Sequence, residues 1–235
     1  MKLQKEAVLI VENAQAHNIE VRILGSVAIA TYVGAEIASR PSPIKDIDLI
    51  TRHEARTVFQ GILYNSGWRV VEELLLLSED RETYQHPAQE YTVDVYFDVV
   101  DGNHPIHLRD RLGLSFPAIS ATDLLMTKLQ RRFPRQTDTW DCCALFTHGI
   151  ASMEVEYFVR VMGKDWGLYT TALDNLRNLI VSCPRAREGI RRLMADAERG
   201  AKSWQWYVRS VLGRRLKWWN DVFDTKISEK RRGSL

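Results

Sequence analysis

The stretch "RILGSVAIATYVGAEIASRPSPIKDIDLIT", residues 22–51, decides the fold. An apolar strand signal ends at Gly25. Small apolar residues from Ser26 to about Ala38 then predict a helix with serine at its cap. "SRPSP" at 39–43 is a loop because of its two prolines, and "IKDIDLIT" at 44–51 is rich enough in isoleucine to be the next strand. Within that strand Asp46 and Asp48 face one way and Ile47 and Leu49 the other. The two acidic Cβ atoms are then roughly 6.6 Å apart, twice the strand rise. Buried carboxylates are costly unless something positive meets them. One hard cation relieves their repulsion, with oxygen ligands at about 2.0–2.1 Å for Mg²⁺.

Outward from this unit, Leu3, Ala7, Ile10, Val11 and Ala14 are spaced as one face of a helix, and "IEVRILG" at 19–25 alternates as a strand. "EARTVFQGILYNSG" at 54–67 is an amphipathic helix, while "WRVVEELLLL" at 68–77 and "YTVDVYFDVV" at 91–100 are strands or strand-like. From "SATDLLMTKLQRR" at 120–132 the period becomes helical and stays so, with Ser120 or Thr122 as the first cap. The expected fold is therefore α/β: a mixed β-sheet flanked by helices over residues 1–119, followed by an all-helical domain over 120–235.

With 235 residues, 45% hydrophobic and 26% charged, the chain has the composition of a globular protein rather than a disordered or fibrous one. Its longest apolar run, "ELLLLS" at 73–78, is far short of a membrane span, and the first residues lack a signal-peptide core. A cytoplasmic protein without membrane contact is expected. Cys142, Cys143 and Cys183 lack C-x-x-C spacing, so they are expected to be reduced core residues. Residues 1–123 carry 11 lysines and arginines against 18 acids, a balance of −7, whereas residues 124–235 carry 21 against 12, a balance of +9. An acidic half beside a basic half suits a cation centre joined to a module that handles an anionic molecule.

Two further elements bear on chemistry. Gly25-Ser26 at a strand-to-helix turn offers unpaired N–H groups and a favourable dipole to phosphate, although it has neither the lysine of a P-loop nor the glycines of a dinucleotide fingerprint. "TVDVYFDVVDG" alternates so that Asp94, Tyr96 and Asp98 share one side. Asp94, flanked by valines, is the better third acid, and Asp98 is the fallback.

Gly25-Ser26, Asp46-Ile47-Asp48 and Val93-Asp94-Val95, in this order, resemble the nucleotidyltransferase superfamily that includes DNA polymerase beta. "ISATDLLMTKLQ" followed by "RQTDTWD" resembles the K-then-D segment of AbiE-type toxin nucleotidyltransferases and their uncharacterised bacterial relatives, matching Lys128 and Asp138. "DWGLYTTALDNL" and "GRRLKWWNDVFD" resemble the helical tail of a bacterial group in the same superfamily. The resemblance implies a metal-dependent transfer of a nucleoside monophosphate from an NTP such as ATP to an acceptor hydroxyl, releasing pyrophosphate. The acceptor would be an RNA 3′ end, a protein or a small molecule, with an antitoxin as a further partner and no DNA sequence recognition. Gly25, Ser26 and Lys45 would bind nucleotide. Asp46, Asp48 and Asp94 would hold two Mg²⁺ ions, Lys128 would contact phosphates, and Asp138 would orient that lysine or the acceptor. Lys45 stands where many members have serine. The alternative is a degenerate relative that binds nucleotide or a partner without catalysis.

His104 and His107 form no helical face and are expected in a solvated loop. Trp204, Tyr207, Val208, Val211, Leu212, Trp218, Trp219 and Val222 share a helical face and are expected to be mostly core, leaving Trp206 available to a ligand. The basic tail "KISEKRRGSL" is expected to fray.

Overall fold

The computed structural model describes residues 2–75 and 80–222. Helix α1 (Lys2–Ala16) leads into β1 (Val21–Leu24), α2 (Gly25–Val33), β2 (Asp46–Thr51) and α3 (Arg56–Asn65). After β3 (Arg69–Val70) and a single turn, α4 (Glu72–Leu75), come β4 (Arg81–Gln85) and β5 (Thr92–Phe97). Two short strands, β6 (Val99–Val100) and β7 (Ile106–His107), pair apart from the main sheet. The helical part comprises α5 (Ala121–Leu129), α6 (Gln136–His148), α7 (Val155–Met162), α8 (Trp166–Ser182), α9 (Arg187–Arg199) and α10 (Trp204–Leu212).

The main sheet runs β1-β2-β5-β4-β3, parallel at β2–β5 and antiparallel elsewhere. Alternation buries Ile47, Leu49, Val93, Val95 and Phe97 with Phe59, Ile62 and Leu63 of α3 in one apolar cluster, and the predicted stripe of α1, Ala7, Ile10, Val11 and Ala14, belongs to it as well. The cluster continues without a break through α5, α6 and α8 to Ala197 of α9. Helix α5 is buried along its whole length and capped by Ser120, whose hydroxyl accepts the Asp123 N–H at 3.1 Å. Both charged residues inside it are paired. Asp123 receives Arg111 Nε at 2.7 and 2.8 Å, and Lys128 meets acids of α6.

Several expectations change. "WRVVEELLLL" supplies only the two residues of β3 before turning into α4, and Leu76–Leu77 lie outside the described residues, as does the tail at 226–235. Strand β4, sequence "RETYQ", has no apolar period to announce it. It pairs with β5 and β3 and buries Tyr84, and its other polar side chains find partners: Glu82 on one face pairs with Arg56 at 2.7 Å and accepts the Tyr84 hydroxyl, while Arg81 and Thr83 engage a partner on the other. His104 is not in a solvated loop: it is buried, with its ring 2.9 Å from the Thr171 hydroxyl and its N–H donated to Gln130. His107 is exposed.

The aromatic helix is reversed from its expected orientation. Helix α10 stops at Leu212, so Trp218, Trp219 and Val222 are not on it, and Trp204 (69% exposed), Tyr207, Val208 and Val211 (82%) face outward. Trp206, expected to be free, instead lies edge-on to Tyr169 with Lys202 over its ring. Helical periodicity located the apolar stripe but could not tell which side of a nine-residue helix meets the protein. Among the cysteines, Cys142 is buried and free as expected, whereas Cys143 of α6 and Cys183 after α8 form a disulfide with Cα atoms 5.6 Å apart. Packing of α6 against α8 brings together residues 40 positions apart, a proximity that local spacing does not encode.

The disulfide closes a loop for which chain entropy predicts a contribution of about 4 kcal/mol. Cys143→Ser is expected to lower the melting temperature in non-reducing buffer and to melt with the wild type once both are reduced. Equal melts before reduction would show that the bond contributes nothing.

Candidate functional site

Strand β2 places Asp46 and Asp48 on the sheet face away from the Ile47 and Leu49 side, and its two neighbours complete the arrangement. Asp48 pairs with Leu24 of β1 on one side and with Asp94 of β5 on the other. Paired residues in adjacent strands share a face, so Asp48 and Asp94 stand next to each other. Immediately after Leu24 the chain turns at Gly25 with φ +65°, and a Cβ there would overlap the Asp48 carboxylate. Glycine is required twice over at this position, for its backbone conformation and for the approach of an acidic side chain. The N-terminus of α2 is therefore built against Asp48.

Ser26 is not the cap of α2. Leu24 occupies that position without a side-chain bond, and Ser26 lies in the first turn, where its hydroxyl accepts Arg40 Nη2 at 2.9 Å. Arg40 reaches on to Asp141 of α6, with Nε 2.8 Å from Oδ1. Asp141 is fully buried and also receives Lys128 Nζ at 2.8 Å. Asp138 is the more distant partner of that lysine, at 3.5 Å, and its other oxygen accepts the Arg135 N–H at 3.0 Å at the start of α6. A chain of charges thus joins the Gly25-Ser26 turn to the helical part. The expected pair of Lys128 and Asp138 is present, but Asp141 is the closer anchor. Its place three residues after Asp138 on one helical face was the signal in the sequence.

The third acid is Asp94 by position. Asp98 lies just past β5 with φ +59°, where Arg109 holds it at 2.9 Å, so it does not share the face of Asp94 as alternation had suggested. Asp94 is 6% exposed, and β4 occupies both of its oxygens: Arg81 Nη2 at 2.7 Å from Oδ2 and the Thr83 hydroxyl at 2.6 Å from Oδ1. Neither residue was singled out in the sequence, because β4 itself was not. Lys45 is exposed at the entrance to β2.

The electrostatics reflect this crowding. Asp48 keeps part of its surface in solvent, but poor solvation first, then the charges of Asp46 and Asp94, push its carboxyl up to about 8 against the pull of Lys128 and Arg81. Burial likewise raises Asp94, opposed by Arg81 and the Thr83 hydrogen bond. A set of hard carboxylate oxygens short of positive charge fits a hard divalent cation, with Asp46 and Asp48 the available donors. Among the described residues no three acidic, histidine or cysteine side chains are gathered as a ready cation site, and Asp94 is the one turned to other partners. A cavity of about 20 Å³ between Lys128, Pro134, Asp138, Cys142 and Leu179 has room for about one water and is not a substrate chamber.

No protein-family model and no curated protein matches the chain. Among solved structures it is similar to the solution structure of the antibiotic-resistance factor ANT(2'')-Ia, at 13% identity over 88% of this chain and 94% of that one, TM-score 0.40. An antigenic nucleotidyltransferase-like protein from Paracoccidioides brasiliensis is similar at 14% identity over 90% and 96%, TM-score 0.45. The crystal structure of ANT(2'')-Ia in complex with adenylyl-2''-tobramycin is similar at 13% over 83% and 97%, TM-score 0.40.

Because the folded carboxyl of Asp48 titrates near 8 and the unfolded one near 3.8, the folded state holds the extra proton between these values. Stability of the cation-free protein should therefore fall as pH rises from about 4 to about 8. Asp48→Asn is expected to flatten that slope and, at pH 8, to raise the melting temperature by roughly 2–4 °C per kcal/mol of repulsion removed. A lower melting temperature for the variant at pH 8 would contradict the assignment. Gly25→Ala should cost about 1–3 kcal/mol from its backbone alone, with further loss from the collision with Asp48, measurable by urea unfolding.

Proposed function

We propose that the chain is a nucleotidyltransferase that uses a divalent cation, taken to be Mg²⁺, to move a nucleoside monophosphate from an NTP to an acceptor hydroxyl. One observation carries the reading: the Gly25 turn, the Asp46/Asp48 strand and the Asp94 strand are adjacent in space, so the N-terminus of α2 abuts an acidic cluster. The N–H groups of the first turn of α2 would receive the triphosphate. Ser26, steadied by Arg40, would add a hydroxyl, and Lys128 would supply a point charge whose resting partner is Asp141. Asp46 and Asp48, joined by Asp94, would hold the cation, which when bound supplies charge stabilisation to the phosphates. The acceptor oxygen attacks the α-phosphorus in line, the bond to the bridging oxygen breaks, and pyrophosphate leaves. The hydroxyl proton passes to Asp94, which must first be freed from β4.

The balance of +9 over residues 124–235 favours a polyanionic acceptor such as RNA over a neutral one, with protein and small-molecule hydroxyls as the other classes. A second reading, a nucleotide-binding protein without catalysis, is favoured by a single feature: both oxygens of Asp94 are already bonded.

Each α-labelled NTP, supplied with Mg²⁺ together with total RNA, protein or a panel of polyhydroxy small molecules, separates these possibilities. Label transfer and pyrophosphate release, both lost in Asp46→Asn, are the expected result. Nucleotide binding without transfer would leave the non-catalytic reading, and neither would refute both. Lys128→Ala is expected to weaken NTP binding by tenfold or more, read by titration calorimetry. Unchanged affinity would remove Lys128 from the site.

A further inference from the structure

Asp94 already has a cation, and that cation belongs to the protein. Its Oδ2 is 2.7 Å from Arg81 Nη2 and its Oδ1 accepts the Thr83 hydroxyl at 2.6 Å. The sheet enforces both contacts, since Thr83 pairs directly with Asp94 and Arg81 pairs with Tyr96 one step along the same face. The guanidinium also lies 5.3 Å from the centre of the Tyr96 ring, which steadies it beside the carboxylate. Arg81 is about one-quarter exposed while Asp94 is almost wholly covered, so the arginine has solvent to move into and the carboxylate does not.

Charge balance limits how a metal can enter this cluster. Asp46, Asp48 and Asp94 amount to −3 when ionised, and Arg81 neutralises one of them, the one it touches. A divalent ion at Asp46 and Asp48 then balances the other two, with Lys128 adding positive charge within reach of Asp48. For Asp94 to ligate that ion or a second one, a positive metal has to come close to a positive guanidinium in a poorly solvated site, where like charges repel strongly. An arginine is not discharged by deprotonation, so it has to move.

We propose that Arg81 is a built-in competitor for the cation at Asp94: while it is docked, Asp46 and Asp48 alone take the ion, and Asp94 joins the site only when Arg81 withdraws. This rests on the cation reading of the acidic cluster. Arg81 is a positioning residue that acts through Asp94, and Thr83 is its weaker accomplice. The arrangement makes the third acid conditional. It restrains cation uptake in the resting protein and leaves Asp94 available once another anion, such as a nucleotide phosphate, offers Arg81 an alternative.

The test is a Mn²⁺ titration of the nucleotide-free full chain, with free ion counted by electron paramagnetic resonance and folding verified by thermal melt. Arg81→Gln should bind Mn²⁺ at least tenfold more tightly than the wild type, and Arg81→Lys should stay within about threefold of it because the competing charge is kept. Arg81→Gln combined with Asp94→Asn should lose the gain. Thr83→Val, which removes one hydroxyl and is the variant to use if Arg81→Gln fails to fold, should tighten binding about threefold. No tightening in Arg81→Gln, or in Thr83→Val where it serves as the substitute, overturns the proposal, as does a gain that survives Asp94→Asn. Asp48→Asn serves as the control for the underlying reading. If it binds Mn²⁺ as well as the wild type, the acidic pair holds no ion and both readings fall. If it loses binding while Arg81→Gln matches the wild type, only the role of Arg81 is wrong.

Discussion

The contact between the Gly25 turn and the Asp48 carboxylate is the constraint around which the rest of the molecule is arranged. It sets the start of α2 against the central strand, and it confines an ionisable carboxyl where it is poorly solvated. Positive side chains from distant parts of the chain are then recruited to balance the acids. Arg81 comes from β4 to Asp94, and Lys128 comes from the buried helix α5 to within electrostatic reach of Asp48.

The same need for balance ties the sheet to the helices. Arg40 and Lys128 share Asp141, so the loop after α2, the wholly buried α5 and the second turn of α6 are joined by one fully buried carboxylate. Such a chain adds little net stability over apolar packing, but breaking it at one member leaves its neighbours uncompensated. Its value is in orientation. It holds Arg40 against Ser26 and Lys128 within electrostatic reach of Asp48. Because the apolar core runs continuously from α1 to α9, moving the sheet part against the helical part would disturb apolar packing as well as these charged contacts.

The acidic cluster was legible because its elements are local. Asp46 and Asp48 are two apart in an isoleucine-rich strand, Gly25-Ser26 ends another, and Asp94 lies between valines, so period and punctuation sufficed to find them. Their counter-charges were legible only in part: Lys128 was singled out, but Arg81 and Arg40 were not. Arg81 and Thr83 sit in "RETYQ", a strand that shows no apolar alternation and whose polar side chains meet their partners only after folding. Arg40 lies in a proline loop whose sequence gives no hint that its side chain returns to Ser26 and crosses to α6.

By itself, then, the amino-acid sequence determined which segments alternate, which are amphipathic, where glycine and proline interrupt them, and which strands carry acids. Those properties depend on neighbours within a turn or two of chain. The tertiary structure decided which face of α10 points outward, that Cys143 meets Cys183, that His104 is buried, and that Asp98 leaves the face of Asp94. It also decided that Asp94 rests on an arginine. Each of these turns on residues distant in sequence coming within a few ångströms, and burial, charge pairing and cross-linking are properties of that proximity rather than of any local pattern.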